Sequence, residues 1–484
     1  MRTNFRLRKW VRPNALLLGV FLLSLSLVAC GGENATSTPA SGTTVVTSPN
    51  QAGGTVTGSA TSSAEPNFTP AGQVPTAASS TPAPVALLDP NLKTTLVIWE
   101  ALPDSQSTAL KELVTAFGKA YPGVKVTSLH YDPAEISDTV DSAAASGKLP
   151  DLILASGDYV TDFNGSKALQ SADKLFDKTF LDSFAANALN ASNLNGNQWG
   201  IPFTYSGTPV MLYNKKLVPD APQTWDELGK VVQPLYNAKN KQIGLALEVN
   251  EPYFLTAMLG GFGGAVLDSQ NKPTLDTSQM TATLAYIQQL LKDKTVRAES
   301  RLKDNQIDYA FRDGRLGIYI GDDGLISQYA TAISSNSSDS KLDLGVAPLP
   351  KINSTGNYPV PFSDSKSFFI GANSSGDHLN AAKDFLQWMA KPEQQATILS
   401  KAMLLPATKS FLSSDAVTKN PIWNGLFQQL EVGKAQPSAL EMRGVWDALR
   451  PELESVVAGT LNPSQAAKQM QQIALDNVSK LAVK

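Results

Sequence analysis

From about residue 95 onward, short apolar runs alternate with segments whose apolar residues recur every three to four positions. The runs are rich in β-branched residues and predict buried strands, and the spaced segments predict helices. In chain order the predicted elements are a strand at 95–99, a helix at 107–120, a strand at 124–127, a helix at 136–146 and a strand at 150–154. Strands and helices that alternate at these lengths indicate right-handed crossovers and a mainly parallel sheet, which is an α/β arrangement.

The ends of these strands are the first places to expect a binding site. On a sheet of this kind, ligands lie beyond the carboxyl ends of the strands. The residues that follow the first and third strands are therefore the first candidates: Glu100, Asp104, Ser105, Ser156, Gly157 and Asp158.

The later chain continues to alternate between extended and helical patterns. Extended pieces are predicted at 200–203 and 210–214. A helix is predicted to begin at Thr224, where Thr224 and Glu227 have the spacing of a capping box. Towards the end of the chain, residues 440–481 are largely helical in pattern.

The N-terminus carries a basic segment followed by an apolar one. The basic residues are Arg2, Arg6, Arg8, Lys9 and Arg12, and residues 15–28 are almost wholly apolar. That run is shorter than the roughly 20 apolar residues of a membrane-spanning helix, so the pattern is typical of a secretory signal peptide at 1–29. Residues 27–30, Leu-Val-Ala-Cys, resemble the bacterial lipobox, which implies cleavage before Cys30 and lipidation of its thiol.

A low-complexity segment follows the signal peptide. From Cys30 to about Val85 it is built from Ser, Thr, Ala, Gly and Pro, and its only charged residues are Glu33 and Glu65. Such a segment buries too little apolar surface to offset its chain entropy. We expect residues 30–92 to be a disordered, lipid-anchored tether that holds a globular body away from a membrane, and a glycosylated stalk fits the same composition.

Composition excludes several kinds of site. Cys30 is the only cysteine of the 484 residues, so the mature domain has no disulfide, no thiolate nucleophile and no cysteine-based metal site. His130 and His378 are the only histidines, too few for most zinc sites. The net charge of -3 and the lack of a basic patch argue against nucleic acid as a partner. We expect no metal and no cofactor, and the length of the remaining chain predicts two domains.

After the low-complexity segment, the order of several strings resembles a known family. In order they are TLVIW, AFGKAYPGVKV, LPDLILASGD, WGIPFTYSGTPVMLYNK, PQTWDEL, EPYF, FRDGRLGIYIGD, GVAPLP and KDFLQWMAKPEQQ. Together they are similar to the extracellular solute-binding proteins of the sugar-binding class, which includes maltose-binding protein. EPYF at 251–254 is the most distinctive single string, and the similarity covers essentially all of the chain after the tether.

The resemblance implies a type II periplasmic-binding-protein fold, an α/β architecture of two lobes with a ligand cleft between them. Each lobe would be a mixed sheet flanked by helices. The implied lobes are 94–204 plus 357–412 for the first, and 207–352 plus 415–484 for the second. Crossing strands at about 205–210 and 352–358 would form the hinge. Closure on a ligand would produce the form that a membrane permease recognises.

The resemblance also implies which residues surround the ligand. Tyr253 and Trp446 fall at positions similar to aromatic ligand contacts of maltose-binding protein, and Glu251 and Asp158 at positions of acidic hydrogen-bonding residues. Aromatic planes that stack on sugar rings, surrounded by groups that bind hydroxyls, are what a sugar site needs. The remaining candidates lie at strand ends and at the inferred crossing: Asp104, Tyr205, Ser206, Asp322 and Asp323.

Departures from the maltose-binding pattern leave the ligand open. Ala155 and Ser156 stand where that protein has a tryptophan before its acidic residue. A second stacking tryptophan, expected near 321–324, is also absent, and the glutamate near the first crossing aligns with Ser206 or Gly207. Two fewer aromatic platforms argue against maltose itself as the assumed ligand.

The sequence therefore predicts a lipoprotein that captures a sugar or oligosaccharide by lobe closure. It would deliver this solute to the permease subunits of an ABC-type importer. We expect it to lie outside the cytoplasm, at the cell surface or in a periplasm, anchored to the membrane through Cys30. We also expect a monomer that is not an enzyme.

Three alternatives stay open at this point. A cationic small solute such as a polyamine would be attracted to Asp104, Asp158, Asp322 and Asp323, and its binding would weaken as salt rises. A secreted glycoside hydrolase with paired carboxylates is the rival from another class, although no G-x-S-x-G, H-E-x-x-H or P-loop motif is present. A lipoprotein with a degenerate cleft would bind no small molecule.

Overall fold

The computed structural model describes residues 92–297, 304–335 and 341–481. The signal peptide at 1–29, Cys30 and the tether before residue 92 lie outside these described residues, so the expectations about them stay predictions. Asp104 opens a helix, but its side chain also lies outside what the structure describes. Within the described ranges, no helix has the length and apolar character needed to cross a bilayer.

The strands and helices of the described residues are numbered in chain order. The strands are β1 Thr94–Glu100, β2 Val124–His130, β3 Leu152–Ser156, β4 Leu169–Gln170, β5 Asn193–Leu194, β6 Asn197–Gln198, β7 Gly200–Pro202, β8 Pro209–Asn214, β9 Ile243–Leu247, β10 Leu316–Asp322, β11 Leu344–Ala347, β12 Phe362–Ser363, β13 Lys366–Gly371 and β14 Lys434–Ala435. The helices are α1 Asp104–Ala120, α2 Ile136–Ser146, α3 Val160–Gly165, α4 Lys178–Leu181, α5 Ala186–Asn190, α6 Trp225–Val232, α7 Pro252–Gly261, α8 Ser278–Lys292, α9 Asp304–Arg312, α10 Gly324–Ser335, α11 Gly376–Met389, α12 Pro392–Thr397, α13 Lys409–Leu412, α14 Asp415–Thr418, α15 Pro421–Val432, α16 Met442–Val457 and α17 Pro463–Leu481.

The first sheet has the strand order β2-β1-β3-β13-β4, and β7 also pairs with β13. β1 runs parallel to β2 and β3, as the crossover pattern predicted. β13 is antiparallel to β3, β4 and β7, so the sheet is mixed and not mainly parallel. Lys366, the first residue of β13, is opposite Ser156, the last residue of β3. The start of β13 therefore lies at the edge where the parallel strands end, which is where a ligand is expected.

Both faces of the first sheet are covered by helices. Leu152 and Leu154 of β3 belong to a core that includes Phe117 of α1. Ile153, between them, belongs to a separate core that includes Phe163 of α3. Because successive side chains of a strand point to opposite faces, the continuous apolar run in β3 is what a strand buried on both sides requires.

The second sheet has the order β11-β8-β10-β9. β8 is antiparallel to β10 and β11, and β9 is parallel to β10. Helices α7, α8, α16 and α17 contribute to the core on this sheet, with Leu245, Met258 and Val445 among its buried residues. The two large sheets of the described residues are thus both mixed and flanked by helices, which is the α/β architecture of two lobes that the sequence led us to expect.

The connection between β7 and β8 runs beside a later segment of the chain. Ser206 and Asp364 exchange both backbone hydrogen bonds, with N···O distances of 3.1 Å and 2.7 Å. Directly before Asp364, β12 pairs in parallel with β14. Three segments of the chain therefore lie side by side where the two sheets meet, and together they support the candidate site.

The segment expected to form the second crossing, 352–358, makes a different kind of contact. The Ile352 N–H donates to the Asn357 carbonyl at 2.8 Å, which closes a tight turn. The Asn357 side chain then donates to the Gly261 carbonyl at the end of α7, at 3.2 Å. This segment therefore packs on α7, in the second lobe. The backbone pairing with Ser206 comes later in the chain, at Asp364.

Two features of the helices were partly readable in the sequence. The Thr224 hydroxyl accepts a hydrogen bond from the Glu227 N–H at 3.2 Å, as predicted, but the Glu227 carboxylate accepts from the Gln223 N–H rather than from Thr224. The helical stretch 440–481 is broken into α16 and α17. Gly459 lies between them at a φ of 75°, a left-handed conformation that glycine adopts without steric cost.

Candidate functional site

Residues from several elements converge where the two sheets meet. Asp158 follows β3, Lys366 begins β13, and Asp322 ends β10 on the second sheet. The charge of Lys366 acts on both Asp158 and Asp322, so the ends of the two sheets lie within electrostatic reach of each other. Tyr253, in the first turn of α7, and Trp446 of α16 complete the site.

Three aromatic side chains form a compact group at this junction. The rings of Tyr253 and Trp446 stack with centroids 5.5 Å apart and an interplanar angle of 17°. Phe362 packs edge-on against both of them, with each centroid distance 6.2 Å. Phe362 is buried, whereas Tyr253 and Trp446 are only half-buried and keep ring surface open. The two predicted platforms thus form one stacked pair instead of two separate surfaces.

The Tyr253 hydroxyl is tied to the crossing segments. It lies 2.9 Å from the Gln436 Oε1, to which it donates, and 3.4 Å from the Gly207 carbonyl. Burial raises the pKa of Tyr253 well above 10, and four aspartate charges nearby raise it further. The hydroxyl therefore stays protonated at neutral pH and holds the ring in a fixed orientation.

The positive charge of Lys366 acts on four carboxylates of the site. They are Asp158, Asp322, Asp323 and Asp364. Removal from bulk water is the main cause that raises the pKa of each of them, and Lys366 offsets only part of this effect. Asp158 still contacts solvent through the junction. The excess of negative charge suits this site to donors of hydrogen bonds, to protons or to a cationic group.

Asp364 is the most constrained of the four. The Ser156 hydroxyl donates a hydrogen bond to its Oδ2, while its enclosed Oδ1 has no hydrogen-bond partner among the described residues. Burial, followed by repulsion from Asp158, raises the pKa of Asp364 to about 6. A side chain at position 157 would be crowded, because a Cβ on Gly157 would lie 2.9 Å from Oδ1 of Asp364 and 3.0 Å from the Ala191 carbonyl oxygen.

Asp323 and Asp322 have different surroundings although they are adjacent. Asp323 is only 7% exposed, and its carboxylate accepts a hydrogen bond from the Gly207 N–H at 3.1 Å. Asp322 is exposed, and its carboxylate accepts from the Gly324 N–H at 2.8 Å. Of the two predicted ligand contacts, Asp322 is accessible, whereas Asp323 chiefly fastens the end of β10 to the crossing.

Glu251 lies just before α7 and is paired within the second lobe. One guanidinium nitrogen of Arg450, on α16, contacts both of its carboxylate oxygens at 2.9 Å and 3.0 Å. Both side chains keep about a third of their surface exposed, 35% for Glu251 and 37% for Arg450. The pairing holds Glu251 in place and leaves lone pairs that can accept from a hydroxyl.

Tyr205, one of the predicted ligand contacts, has no exposed side-chain surface in this structure. Its side chain is 0% exposed and belongs to the first core, and its hydroxyl donates to the Leu430 carbonyl at 2.7 Å. Burial raises the pKa of Tyr205 above its ordinary value. The neighbouring Ser206 is half-buried, and its Oγ lies 3.3 Å from the Thr204 hydroxyl. Tyr205 therefore packs the crossing, and Ser206 contributes mainly its backbone.

Glu100, a first candidate from the strand-end argument, is also unsuited to hold a ligand. It is 1% exposed and accepts hydrogen bonds from the Leu102 N–H and the Ser107 hydroxyl at 2.9 Å and 3.1 Å. Its other carboxylate oxygen lies 3.0 Å from Nδ1 of His130. A buried carboxylate with this many partners stabilises the end of β1.

Sequence reasoning missed four residues of the site: Phe362, Asp364, Lys366 and Gln436. The signal nearest to them is the polar run Ser-Asp-Ser-Lys-Ser at 363–367, directly before an apolar strand. Its importance depends on β13 being antiparallel, which brings the beginning of that strand to the site. Among the described residues, no cluster of His, Cys, Asp or Glu could hold a metal ion.

A family model matches most of the globular part of the chain. Residues 112–424 match the model described as bacterial extracellular solute-binding protein. The chain belongs to this family. Its members are binding proteins and not enzymes, which agrees with the expected absence of catalysis and with a location outside the cytoplasm.

Several curated relatives align with this solute-binding protein over most of its length. It is 24% identical to the maltotriose-binding protein of Pyrococcus abyssi, over 75% of this chain and 77% of the relative. It is 24% identical to the galactooligosaccharide-binding protein of Bacillus subtilis, over 78% of this chain and 88% of the relative. It is 25% identical to the maltooligosaccharide ABC transporter solute-binding lipoprotein of Streptococcus pneumoniae, over 75% of this chain and 88% of the relative.

Solved structures confirm the two-lobed fold of this solute-binding protein. The maltose/maltodextrin-binding domain of Bdellovibrio bacteriovorus bound to maltotriose has a TM-score of 0.66 at 26% identity, covering 80% of this chain and all of that one. A cyclo/maltodextrin-binding protein complexed with maltotetraose has a TM-score of 0.70 at 23% identity, covering 79% and 97%. The resemblance stated from the sequence is therefore confirmed for both family and fold.

Proposed function

We propose that this solute-binding protein captures an oligosaccharide between its lobes and delivers it to an ABC-type import permease. Relatives that bind maltotriose, galactooligosaccharide and maltooligosaccharide support the carbohydrate class. The relative from Streptococcus pneumoniae supports the partner, since it is the solute-binding lipoprotein of an ABC transporter. The protein would act as a monomer.

The observation that carries this proposal is the aromatic pair bordered by carboxylates. Sugars have apolar ring faces and polar edges, so a stacking surface next to hydrogen-bond acceptors suits them. Tyr253 and Trp446 supply the surface, and Asp158 and Asp322 supply accessible acceptors next to it. Because the two rings already stack on each other, a sugar ring would lie on the open face of the pair and not between its members.

Capture would proceed by closure of the two lobes. Asp158 follows a strand of the first sheet, whereas Tyr253 and Trp446 belong to helices of the second and Glu251 directly precedes one of these helices. A solute held by both groups of residues links the lobes, so binding favours the closed form over the open one. The closed form is what the permease would recognise.

The extents of the lobes are part of the proposal. The first lobe would comprise 94–204 and 357–412, and the second would comprise 207–352 and 415–484. All six strands of the first sheet and all four of the second fall within these ranges. Hydrogen exchange with and without solute tests the division, because protection on closure should concentrate at the facing edges.

The membrane anchor is proposed from the N-terminal sequence. Cys30 would carry the lipid and residues 30–92 would give the binding domain reach towards the permease. The relative described as a lipoprotein supports this arrangement. Replacing Cys30 with Ser should release the protein from membranes into the soluble fraction, and continued retention in the membrane would contradict the anchor.

The test is substitution of Trp446 by Ala with maltotriose as the probe. Loss of the stacking ring should weaken binding about tenfold, corresponding to ~1.4 kcal/mol. Since the side chain is half-buried, the stability cost should stay below the roughly 3 kcal/mol of a fully buried aromatic. Titration calorimetry measures the affinity, and thermal unfolding measures the stability.

A matched control is Tyr309→Ala, which removes an aromatic ring that is 66% exposed on α9. It should leave the affinity unchanged. A Trp446→Ala protein that loses much stability but still binds maltotriose with unchanged affinity while folded would show that Trp446 is a core residue. If the unaltered protein binds neither maltotriose nor a galactooligosaccharide, carbohydrate capture by this cleft is contradicted.

A cationic solute is the second candidate, and one observation favours it. Four aspartates share the charge of Lys366, and the pKa of each is raised, so the site has an excess of negative charge that a bound cation would relieve. Asp158 and Asp322 are the accessible members of the set. A polyamine such as spermidine is the matching probe, and its salt dependence distinguishes it from a neutral sugar.

A further inference from the structure

An ion pair joins the two lobes beside the candidate site. Arg443, in the first turn of α16, contacts the Asp162 carboxylate of α3 through its guanidinium group. α3 lies on the first sheet, because its Phe163 packs in the core beneath β3. α16 lies on the second sheet, because its Met442 and Val445 belong to that core. The pair therefore connects elements that are held in different lobes.

A second set of contacts accompanies this ion pair. The Thr161 hydroxyl of α3 donates to the Ser438 carbonyl, in the segment that leads into α16. The Ser438 hydroxyl donates in turn to the Ala191 carbonyl of the first lobe at 3.1 Å. The N-terminal end of α16 thus approaches the first lobe through polar contacts that water could replace if the lobes separated.

Both partners of the ion pair lie on the elements that carry the candidate ligand contacts. Asp162 is four residues after Asp158, and its charge raises the pKa of Asp158. Arg443 precedes Trp446 by three residues and Arg450 by seven, a spacing that places all three on one face of α16. Movement that brings Trp446 towards Asp158 therefore brings Arg443 towards Asp162.

We propose that Asp162 and Arg443 form an electrostatic latch that stabilises the closed lobes and lengthens the residence time of a bound solute. The latch rests on the proposed capture by closure. It is a pair of positioning residues that acts through the lobe equilibrium and does not touch the solute. An interaction made only in the closed state slows opening, so it lowers the dissociation rate and leaves the association rate nearly unchanged.

The latch should be modest and sensitive to salt. The Arg443 side chain is 53% exposed and that of Asp162 is 28% exposed. Ion pairs with this exposure change an equilibrium by roughly two- to fivefold at most, because water screens the charges and ordering the side chains opposes the attraction. Salt at ~1 M shortens the screening length to about 3 Å and should remove most of the effect.

The experiment measures the distance between the lobes in the full chain carrying Cys30→Ser. No other cysteine is present, so Lys119→Cys on α1 and Lys468→Cys on α17, both exposed positions, accept fluorophores uniquely. Single-molecule energy transfer then gives the ratio of open to closed molecules without any solute. Arg443→Ala and Asp162→Ala should each raise this ratio two- to fivefold, and the charge-swapped Asp162→Arg/Arg443→Asp protein should restore it.

Arg315→Ala is the matched control, because Arg315 makes its ion pair with Asp313 next to it in the same lobe. It should leave the distribution unchanged. The latch is overturned if Arg443→Ala behaves like this control, or if the charge-swapped protein is as open as the single variants.

Stopped-flow measurement with maltotriose adds the kinetic readout. The dissociation rate should rise two- to fivefold in Arg443→Ala while the association rate stays nearly constant, and an unchanged dissociation rate would contradict the latch. If maltotriose fails to bind the unaltered chain, the proposed function fails for this sugar. The solute-free distance measurement still decides the latch in that case.

Discussion

Asp364 combines two constraints that are unusual for a carboxylate. Its Oδ2 accepts a hydrogen bond from the Ser156 hydroxyl, while its Oδ1 is enclosed without a hydrogen-bond partner in the described part of the chain. Burial and the nearby Asp158 charge both disfavour its ionised form, and its pKa rises to about 6. An empty cleft at neutral pH therefore holds a carboxylate that is easier to protonate than any ordinary aspartate.

This raised pKa predicts that the folded state gains stability as the pH falls from 7 towards 4. A carboxyl whose pKa is higher in the folded state binds its proton more tightly there than in the unfolded chain, so protonation favours folding between about 6 and 3.8. The difference sets an upper bound of about 3 kcal/mol for Asp364, since one pKa unit is ~1.4 kcal/mol. Urea unfolding at pH 7 and pH 5 measures the effect.

The Asp364→Asn variant distinguishes the contribution of Asp364 to the pH dependence of stability from the contributions of the other aspartates of the site. The variant should be more stable than the unaltered protein at pH 7, and the difference should shrink at pH 5, where Asp364 is largely protonated. A variant that is less stable at both pH values would mean that the Ser156 hydrogen bond outweighs the cost of the buried charge.

At the scale of the element, the bend between β7 and β8 depends on Gly207. It adopts a φ of 74°, and a Cβ at this position would lie 2.9 Å from the Asp364 Cβ. Its N–H and carbonyl are also occupied, by Asp323 and by the Tyr253 hydroxyl respectively. The bend between β7 and β8 therefore depends on a residue with no side chain.

Gly207→Ala should destabilise the protein by about 2 kcal/mol, because the substitution adds left-handed strain to a steric clash. It should also weaken maltotriose binding, since Tyr253 and Asp323 are anchored on this backbone. Chemical unfolding and calorimetry measure the two effects. Gly196→Ala is the control for strain alone, with a φ of 78° and nothing within 4 Å of the added carbon. If the two variants lose the same free energy of unfolding, the steric clash at Gly207 is contradicted.

At the scale of the whole molecule, salt discriminates between the two candidate solutes. Affinity for maltotriose should fall only slightly between 0.05 M and 0.5 M salt, on the order of twofold, because the sugar is neutral and salt acts on its binding chiefly through the Asp162–Arg443 latch. Spermidine held by the aspartates should instead weaken about tenfold or more over the same range. Calorimetry across this salt series gives, for each solute, the slope of affinity against salt concentration.

Two variants test which residues cause the salt dependence of each affinity. Arg443→Ala should flatten the slope for maltotriose, because it removes the latch. Asp322→Asn, which alters an exposed carboxylate, should reduce the slope for spermidine and leave that for maltotriose unchanged. A steep slope for maltotriose that survives Arg443→Ala would contradict the assignment of the salt effect to the latch.

The sequence by itself determined the family, the α/β character and most local elements. Apolar runs such as 95–99 and 150–154 predict buried strands, and periodic spacing predicts the helices between them, because both signals depend on neighbours in the chain. The ordered strings up to KDFLQWMAKPEQQ were sufficient for the resemblance that the comparisons confirm. Tyr253 and Trp446 were also found this way, although nothing in the sequence showed that their rings stack on each other.

Only the tertiary structure decided which polar residues meet. Asp364 and Lys366 reach the site because β13 is antiparallel to β3, and strand direction is set by long-range pairing that a local pattern does not encode. Tyr205 lies in the core and Arg443 faces Asp162 for the same reason, since each position depends on residues hundreds of positions away. Burial and charge at the cleft are properties of the assembled lobes, so they appear only when the chain is folded.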